Sequence, residues 1–290
     1  MHAGSVTVVC ATDGNHGRSV AWGAQKFGCN CVIYVPAHVT DRRVKEIAAF
    51  GAEVVRLQGN YDEAVLRAAS EAKINGWQVV SDTSYEGYQE IPSWVMQGYT
   101  LMVEEVFSEL PESEWPTHIF VQGGVGGLAA AVCGHLWERY GSTRPVITVV
   151  EPIEADCLYR SAESGAPTSA SGSLETIMGG LSCGEISSLA WKILCPGIDA
   201  FMTVGDARVG SWMRRMAEGR ENDFSIVAGE SGVTGLIGLE AVSKDMGVRE
   251  MLQIDDFSRA LVFSTEGATD PERYRDIVGK DFQSVPSSGL

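Results

Sequence analysis

Short β-branched runs alternate with helically spaced apolar stretches along most of the chain, and no other feature limits its possible folds so much. Residues 6–11 read as a strand, and residues 14–27 as a helix with Val20, Ala24 and Phe27 on its apolar side. Residues 31–35 are strand-like and stop at Pro36; Asp41 is expected to cap a helix that carries Val44, Ile47 and Ala48. Strands follow at 53–57, 77–81, 119–122 and 146–150, with helices over 62–74, 91–110 and 125–140 between them. A last strand, 261–263, comes after two further helical stretches, and residues 161–173 read as a surface loop. Alternation at this pitch demands right-handed βαβ units: parallel sheets with helices on both faces. Such folds bind ligands beyond the carboxyl ends of their strands, where loops meet helix N-termini.

With 44% of its 290 residues hydrophobic and 21% charged, the chain has apolar material for about two cores without disulfide or metal staples. Its 22 basic and 38 acidic residues leave a net charge of −16, spread along the chain. A field of that sign repels phosphate backbones and anionic lipid, which argues against nucleic acid or a membrane surface as partner. Any phosphate held here must be held by local geometry. No apolar run approaches the ~18–20 residues of a membrane span, and no signal-peptide pattern opens the sequence. Seven cysteines without a C-x-x-C pair point to reduced thiols and a cytoplasmic setting.

Three strand-to-helix junctions carry unusual residues. The first, Thr12-Asp13-Gly14-Asn15-His16-Gly17-Arg18, is either a capped helix start or a turn whose amides receive a carboxylate or a polar ring substituent. The second, Gln122-Gly123-Gly124-Val125-Gly126-Gly127-Leu128, can wrap an anion at a helix N-terminus. Gly124-x-Gly126-x-x-Ala129 also fits a dinucleotide fingerprint, with Glu151 placed where a ribose-binding acid would stand. The third, Phe263-Ser264-Thr265-Glu266-Gly267, supplies two hydroxyls that either cap the next helix or donate to a ring nitrogen. Asp82 ends a strand as Asp13 does; it is either a turn former or one of two cleft carboxylates fit for acid–base work.

Taken in order, Thr-x-Gly-Asn-His-Gly at 12–17, the glycine loop and the late Ser/Thr turn resemble the fold-type II pyridoxal-phosphate enzymes, the tryptophan synthase β/threonine dehydratase group. Within that group, residues 12–18, 82–99, Glu151-Pro152 with Ala155-Asp156-Cys157, Gly229-Glu230-Ser231-Gly232 and 264–267 look like the diaminopropionate ammonia-lyases. The likeness covers essentially the whole chain. It implies a fold of two parallel-sheet, three-layer α/β domains: a smaller one at 12–110 and a larger one at 111–290, with 1–11 left from a missing N-terminal part. It also implies pyridoxal 5'-phosphate as cofactor, a small amino-acid substrate and a homodimer. Asn15 would hydrogen-bond the phenolic oxygen, and Gly124, Val125, Gly126, Gly127 and Leu128 would cradle the phosphate. Ser264, or Thr265, would meet the pyridine nitrogen, while Thr12 and His16 would help hold the substrate carboxylate. Asp13 and Asp82 would remove the α-proton, one for each enantiomer of 2,3-diaminopropionate. The β-amino group would then leave, and aminoacrylate would hydrolyse to pyruvate and a second ammonia, with the cofactor as electron sink. No metal is expected.

The family's Schiff-base lysine lies on an earlier helix, upstream of everything here, and none of Lys26, Lys45, Lys73, Lys192, Lys244 and Lys280 stands in its motif. The expectation is therefore a chain shortened at its N-terminus, which holds the cofactor noncovalently and turns over slowly if at all. Competing readings are another fold-type II dehydratase or deaminase, a non-catalytic remnant, and a nicotinamide-dependent oxidoreductase built on 124–129 and Glu151.

Overall fold

The computed structural model describes residues 3–12, 14–37, 39–220 and 223–286. The chain divides into two compact units, Met1–Asp82 with Thr269–Pro271, and Thr83–Ala268 with Glu272–Leu290.

The first unit runs β1 (Thr7–Ala11), α1 (Asn15–Phe27), β2 (Asn30–Val35), α2 (Asp41–Ala48), β3 (Glu53–Arg56), α3 (Tyr61–Asn75) and β4 (Gln78–Val79). Its strands form one parallel sheet in the order β3-β2-β1-β4. Alternating side chains serve the two faces: Cys10, Ile33 and Val35 pack with Ala21, Ala24 and Ile47, while Val9, Ala11 and Val32 pack with Ala64, Ala68 and Ala72. The alanines of α3 let that helix lie close on the sheet. Helix α1 ends at Gly28, whose left-handed φ of 74° continues the chain without a Cβ clash. Helix α3 opens on a capping box between Asn60 and Glu63.

Several sequence expectations change here. Thr40, not Asp41, caps α2, accepting from the Arg43 amide at 3.4 Å. Phe27 is exposed, because α1 buries the small face Gly17, Ala21 and Ala24 instead. Strand β1 pairs with both β2 and β4, so residues 7–11 are an inner strand of the first unit's sheet.

The second unit contains α4 (Glu90–Glu109), β5 (His118–Gln122), α5 (Gly127–Tyr140), β6 (Val146–Pro152), α6 (Cys157–Ser164) and α7 (Ser188–Gly197). It continues through β7 (Ala200–Val204), α8 (Val209–Glu218), α9 (Thr234–Lys244), α10 (Met246–Met251), β8 (Ala260–Val262) and α11 (Pro271–Val278). Its parallel sheet has the order β7-β6-β5-β8. Ile119, Val121, Ile147 and Val149 face α4, α5 and α7, whereas Phe120 and Val150 face α8, α9 and α11.

The division falls at 82/83 rather than the expected 110/111. Helix α4 buries Val103 and Phe107 in one cluster with Ile119 and Leu136, so it belongs to the second sheet. Strand β7 went unforeseen, its five residues following directly on a helix. The expected loop at 161–173 begins inside α6, where Ser161 is buried. Among the described residues no helix is long and apolar enough to cross a membrane.

Candidate active site

In the first unit β4, last in sequence, pairs with β1, first in sequence. Chain direction across the sheet reverses at that pair, and the crevice beyond such a switch is where open α/β sheets place ligands. Val9 pairs with Val79, so Thr12 and Asp82 each stand three residues beyond the same pair. The Thr12 hydroxyl, buried, accepts from the Gly14 amide at 2.9 Å and the Gly17 amide at 3.0 Å. It thereby caps α1, whose own N-cap is glycine. A Cβ on Gly17 would fall 2.2 Å from Thr12 Cγ2, so the turn closes only on glycine. His16 donates from Nε2 to the Val80 carbonyl at 2.8 Å, tying α1 to the chain just before Asp82. The neutral ring is left with an acceptor at Nδ1, so it can hold a carboxylate only as imidazolium. Asp82 is half-buried and accepts from the Tyr61 hydroxyl at 3.2 Å, while Asn15 is exposed. Asp13 lies outside the described residues. Burial, then the nearby Asp82 charge, pushes the Cys10 thiol well above its ordinary range.

The second unit repeats the topology. Strand β8 pairs with β5, and Phe120 pairs with Val262, so Gln122 and Ser264 each stand two residues beyond that pair. Directly after β5 comes the glycine loop. Gly124 (φ 67°) and Gly126 (φ 97°) adopt the left-handed conformation, and α5 starts at Gly127 rather than at Val125. The first-turn amides of α5 have no acceptor within the helix, and its dipole places partial positive charge there. A Cβ on Gly123 would fall 2.5 Å from Glu151 Cγ; one on Gly126 would meet Leu194 at 3.0 Å and Ala190 at 3.1 Å. The loop is a backbone cradle that side chains would fill, and that fits a phosphate group.

Across the switch, Gln122 donates from Nε2 to the Phe263 carbonyl at 3.1 Å and to Thr265 Oγ1 at 2.8 Å. Ser264 and Thr265 are both exposed. The Ser264 turn is sewn to residues 229–232: the Gly229 amide donates to the Glu266 carbonyl at 2.7 Å, and the Ser231 amide to Glu266 Oε2 at 2.7 Å. Glu230, almost fully buried, pairs with Arg273 Nε at 2.9 Å. Sequence reasoning passed over Gln122 and Glu266. Their signal was a polar residue closing a wholly buried strand, and an acid between a hydroxyl turn and a glycine.

The dinucleotide reading fails on Glu151. Its carboxyl is buried and accepts from the Leu158 amide at 3.1 Å and the Tyr159 amide at 2.8 Å, the first turn of α6. Burial, partly offset by those amides, pushes its pKa up to about 8. A side chain so engaged offers nothing to a ribose. Cys157 Sγ lies 3.7 Å from both Glu151 Oε1 and the Gly124 carbonyl, and all seven cysteines are free thiols. Lys26, Lys45, Lys73, Lys192 and Lys244 are exposed, and Lys280 donates to the Ala217 carbonyl at 3.0 Å.

The profile of the family described as pyridoxal-phosphate dependent enzyme matches residues 2–250. Diaminopropionate ammonia-lyase of Escherichia coli (strain K12) is 40% identical over 284 residues, 97% of this chain and 71% of that protein. The Salmonella typhimurium protein of the same name is 40% identical over 278 residues, 93% of this chain and 69% of that protein. The crystal structure of the E. coli enzyme in complex with an aminoacrylate-PLP azomethine reaction intermediate matches with a TM-score of 0.88 at 40% identity. It covers 94% of this chain and 71% of that one. Identity at that level along nearly the whole chain, joined to a glycine cradle and a hydroxyl turn at one sheet reversal, leaves one assignment: the chain belongs to the pyridoxal-phosphate dependent enzymes, in the group of the diaminopropionate ammonia-lyases.

Proposed function

We propose that this chain binds pyridoxal 5'-phosphate and serves the α,β-elimination of 2,3-diaminopropionate to pyruvate and two ammonia molecules. The observation that carries the reading is the β5/β8 reversal, where the glycine cradle and the Ser264 turn sit on adjacent strand ends. When bound, the cofactor is an electron sink for a carbanion at the substrate's α-carbon. The chain's own residues place it. Gly124 to Leu128 hold the phosphate with backbone amides, which suits a protein of net charge −16. Ser264, or Thr265, is the hydroxyl assigned to the ring nitrogen; Thr265 accepts from Gln122 Nε2 and keeps its own proton to donate. Asn15 takes the phenolic oxygen. The Thr12 hydroxyl accepts two amides and retains its own proton for the substrate carboxylate, to which His16 is also assigned.

Asp82 and Asp13 are the bases assigned to the two enantiomers. Tyr61 donates to Asp82 Oδ1, which orients that carboxylate. The same reading makes the protein a cytoplasmic homodimer, supported by its free thiols and by its resemblance to the family. Threonine dehydratases are more remote, at 26% identity for the Solanum lycopersicum protein, which favours the diamino acid over a hydroxy amino acid as substrate. No lysine of this chain stands in the family's Schiff-base motif, so cofactor binding and turnover are separate questions.

The test is equilibrium dialysis against pyridoxal 5'-phosphate, followed by release of ammonia and pyruvate from each enantiomer of 2,3-diaminopropionate. Saturable binding with twofold more ammonia than pyruvate is expected from a competent chain. Binding without turnover identifies a cofactor-holding scaffold, and absence of saturable binding overturns the reading.

A further inference from the structure

Helix α7 begins with an anomaly. Its N-cap is Ser187, a residue type that ordinarily caps its own helix, yet the Ser187 side chain makes no such bond. The capping acceptor comes instead from Ser84, more than a hundred residues away: the Leu189 amide donates to Ser84 Oγ at 2.8 Å. Ser187 Oγ is thereby released. It accepts from the Ser84 amide at 3.1 Å and lies 2.7 Å from Ser84 Oγ, with Ser84 Oγ also 3.2 Å from Ser188 Oγ.

Burial fixes the direction of the hydroxyl protons. Ser187 is fully buried, so its proton has to be used inside the protein, on Ser84 Oγ. Ser84 then donates to Ser188, which is half-buried and keeps its own proton for solvent. The chain of hydroxyls runs one way, Ser187 to Ser84 to Ser188.

The other end of Ser187 reaches the glycine loop. Its amide donates to the Val125 carbonyl at 2.9 Å. In a planar trans peptide, C=O and the following N–H point in opposite directions. Drawing the Val125 carbonyl toward Ser187 therefore aims the Gly126 amide away from it. Gly126, at φ 97°, has little intrinsic preference to hold that orientation unaided.

We infer that Ser187, locked by Ser84, is a positioning residue for the glycine loop: the buried hydroxyl pair fixes the Val125–Gly126 peptide so that the Gly126 amide is preset for a phosphate oxygen. A local cap would have stabilised α7 equally well; the exchange of partners links the helix start to the loop. The inference rests on the cofactor reading above.

The test compares affinities of the full chain for pyridoxal 5'-phosphate and for pyridoxal, which lacks the phosphate, in Ser84→Ala, Ser187→Ala and Ser188→Ala variants. Ser84→Ala and Ser187→Ala are expected to lose about 10-fold or more in affinity for the phosphorylated ligand and to leave pyridoxal affinity unchanged. Ser188→Ala removes only the last acceptor of the hydroxyl chain and leaves the Ser187–Ser84 contact in place, so it is expected to lose less affinity for the phosphorylated ligand than Ser187→Ala. The double variant Ser84→Ala/Ser187→Ala leaves no buried hydroxyl proton unpartnered and serves if a single one fails to fold. Equal losses for both ligands, or an unchanged preference in variants with native near-UV circular dichroism, overturn the positioning role alone. A wild-type chain that binds pyridoxal 5'-phosphate no better than pyridoxal overturns the cofactor reading and this inference with it.

Discussion

Gly123 lies flat against Glu151: a Cβ on the glycine would fall 2.5 Å from Glu151 Cγ and 3.2 Å from its carboxyl carbon. The glutamate cannot swing away, because its two oxygens hold the Leu158 and Tyr159 amides at the start of α6. Gly123→Ala must therefore displace either the loop or that helix. The expected cost is about 1–3 kcal/mol, as for other overpacked buried sites. Thermal unfolding should show it as a fall in Tm, together with weakened binding of pyridoxal 5'-phosphate.

The pKa of Glu151, about 8 in the folded chain against 4.5 for an ordinary glutamate, sets a pH dependence. Between those values the unfolded chain has released this proton while the fold retains it. The folded state then binds more protons, so stability falls as pH rises through the window and levels off above about 8. Glu151→Gln removes that titration. Urea midpoints of wild type relative to the variant should decline from pH 5 to pH 8; parallel curves would contradict a raised carboxyl.

Gly126 and Gly134 make a matched pair. Gly126 has a φ of 97°, and an added Cβ would crowd Leu194 and Ala190, so Gly126→Ala is expected to destabilise by about 1–3 kcal/mol. Gly134 sits within α5, where a Cβ would meet only Ile193 Cγ2 at 3.7 Å. Gly134→Ala should instead gain roughly 0.5–1 kcal/mol of helix propensity. Denaturant midpoints of opposite sign on one helix would separate backbone conformation from mere loss of glycine.

Arg273 faces a glutamate with almost no access to water. Replacing it by Met leaves the Glu230 charge without this cation beside the turn that carries Ser264. Removal of one partner from a buried pair costs about 3–5 kcal/mol, discounted here because Arg273 is itself 41% exposed. The expected loss is about 1–3 kcal/mol, largely restored by Glu230→Gln in the same chain. Urea unfolding of the single and double variants measures it. An additive double variant would show that the pair does not hold the turn.

The alternation of apolar periods determined the parallel-sheet architecture, and the order of glycine- and hydroxyl-rich junctions determined the family. Both are local: a strand announces itself by β-branched residues, and a cradle by glycines that no Cβ can replace. What the sequence left open depended on pairing across distance. That Thr12 and Asp82 share one level, and Gln122 and Ser264 another, follows from which strand pairs with β1 and β5. The register of a strand pair is set by packing on both faces, not by neighbours in the chain. Glu151 could pass in sequence for a ribose ligand because position alone says nothing of orientation. Only folding turned its carboxyl onto α6, where two backbone amides partly offset its burial. The cap of α7 was invisible for the same reason: a serine was present at the right local position, and the fold supplied a different one.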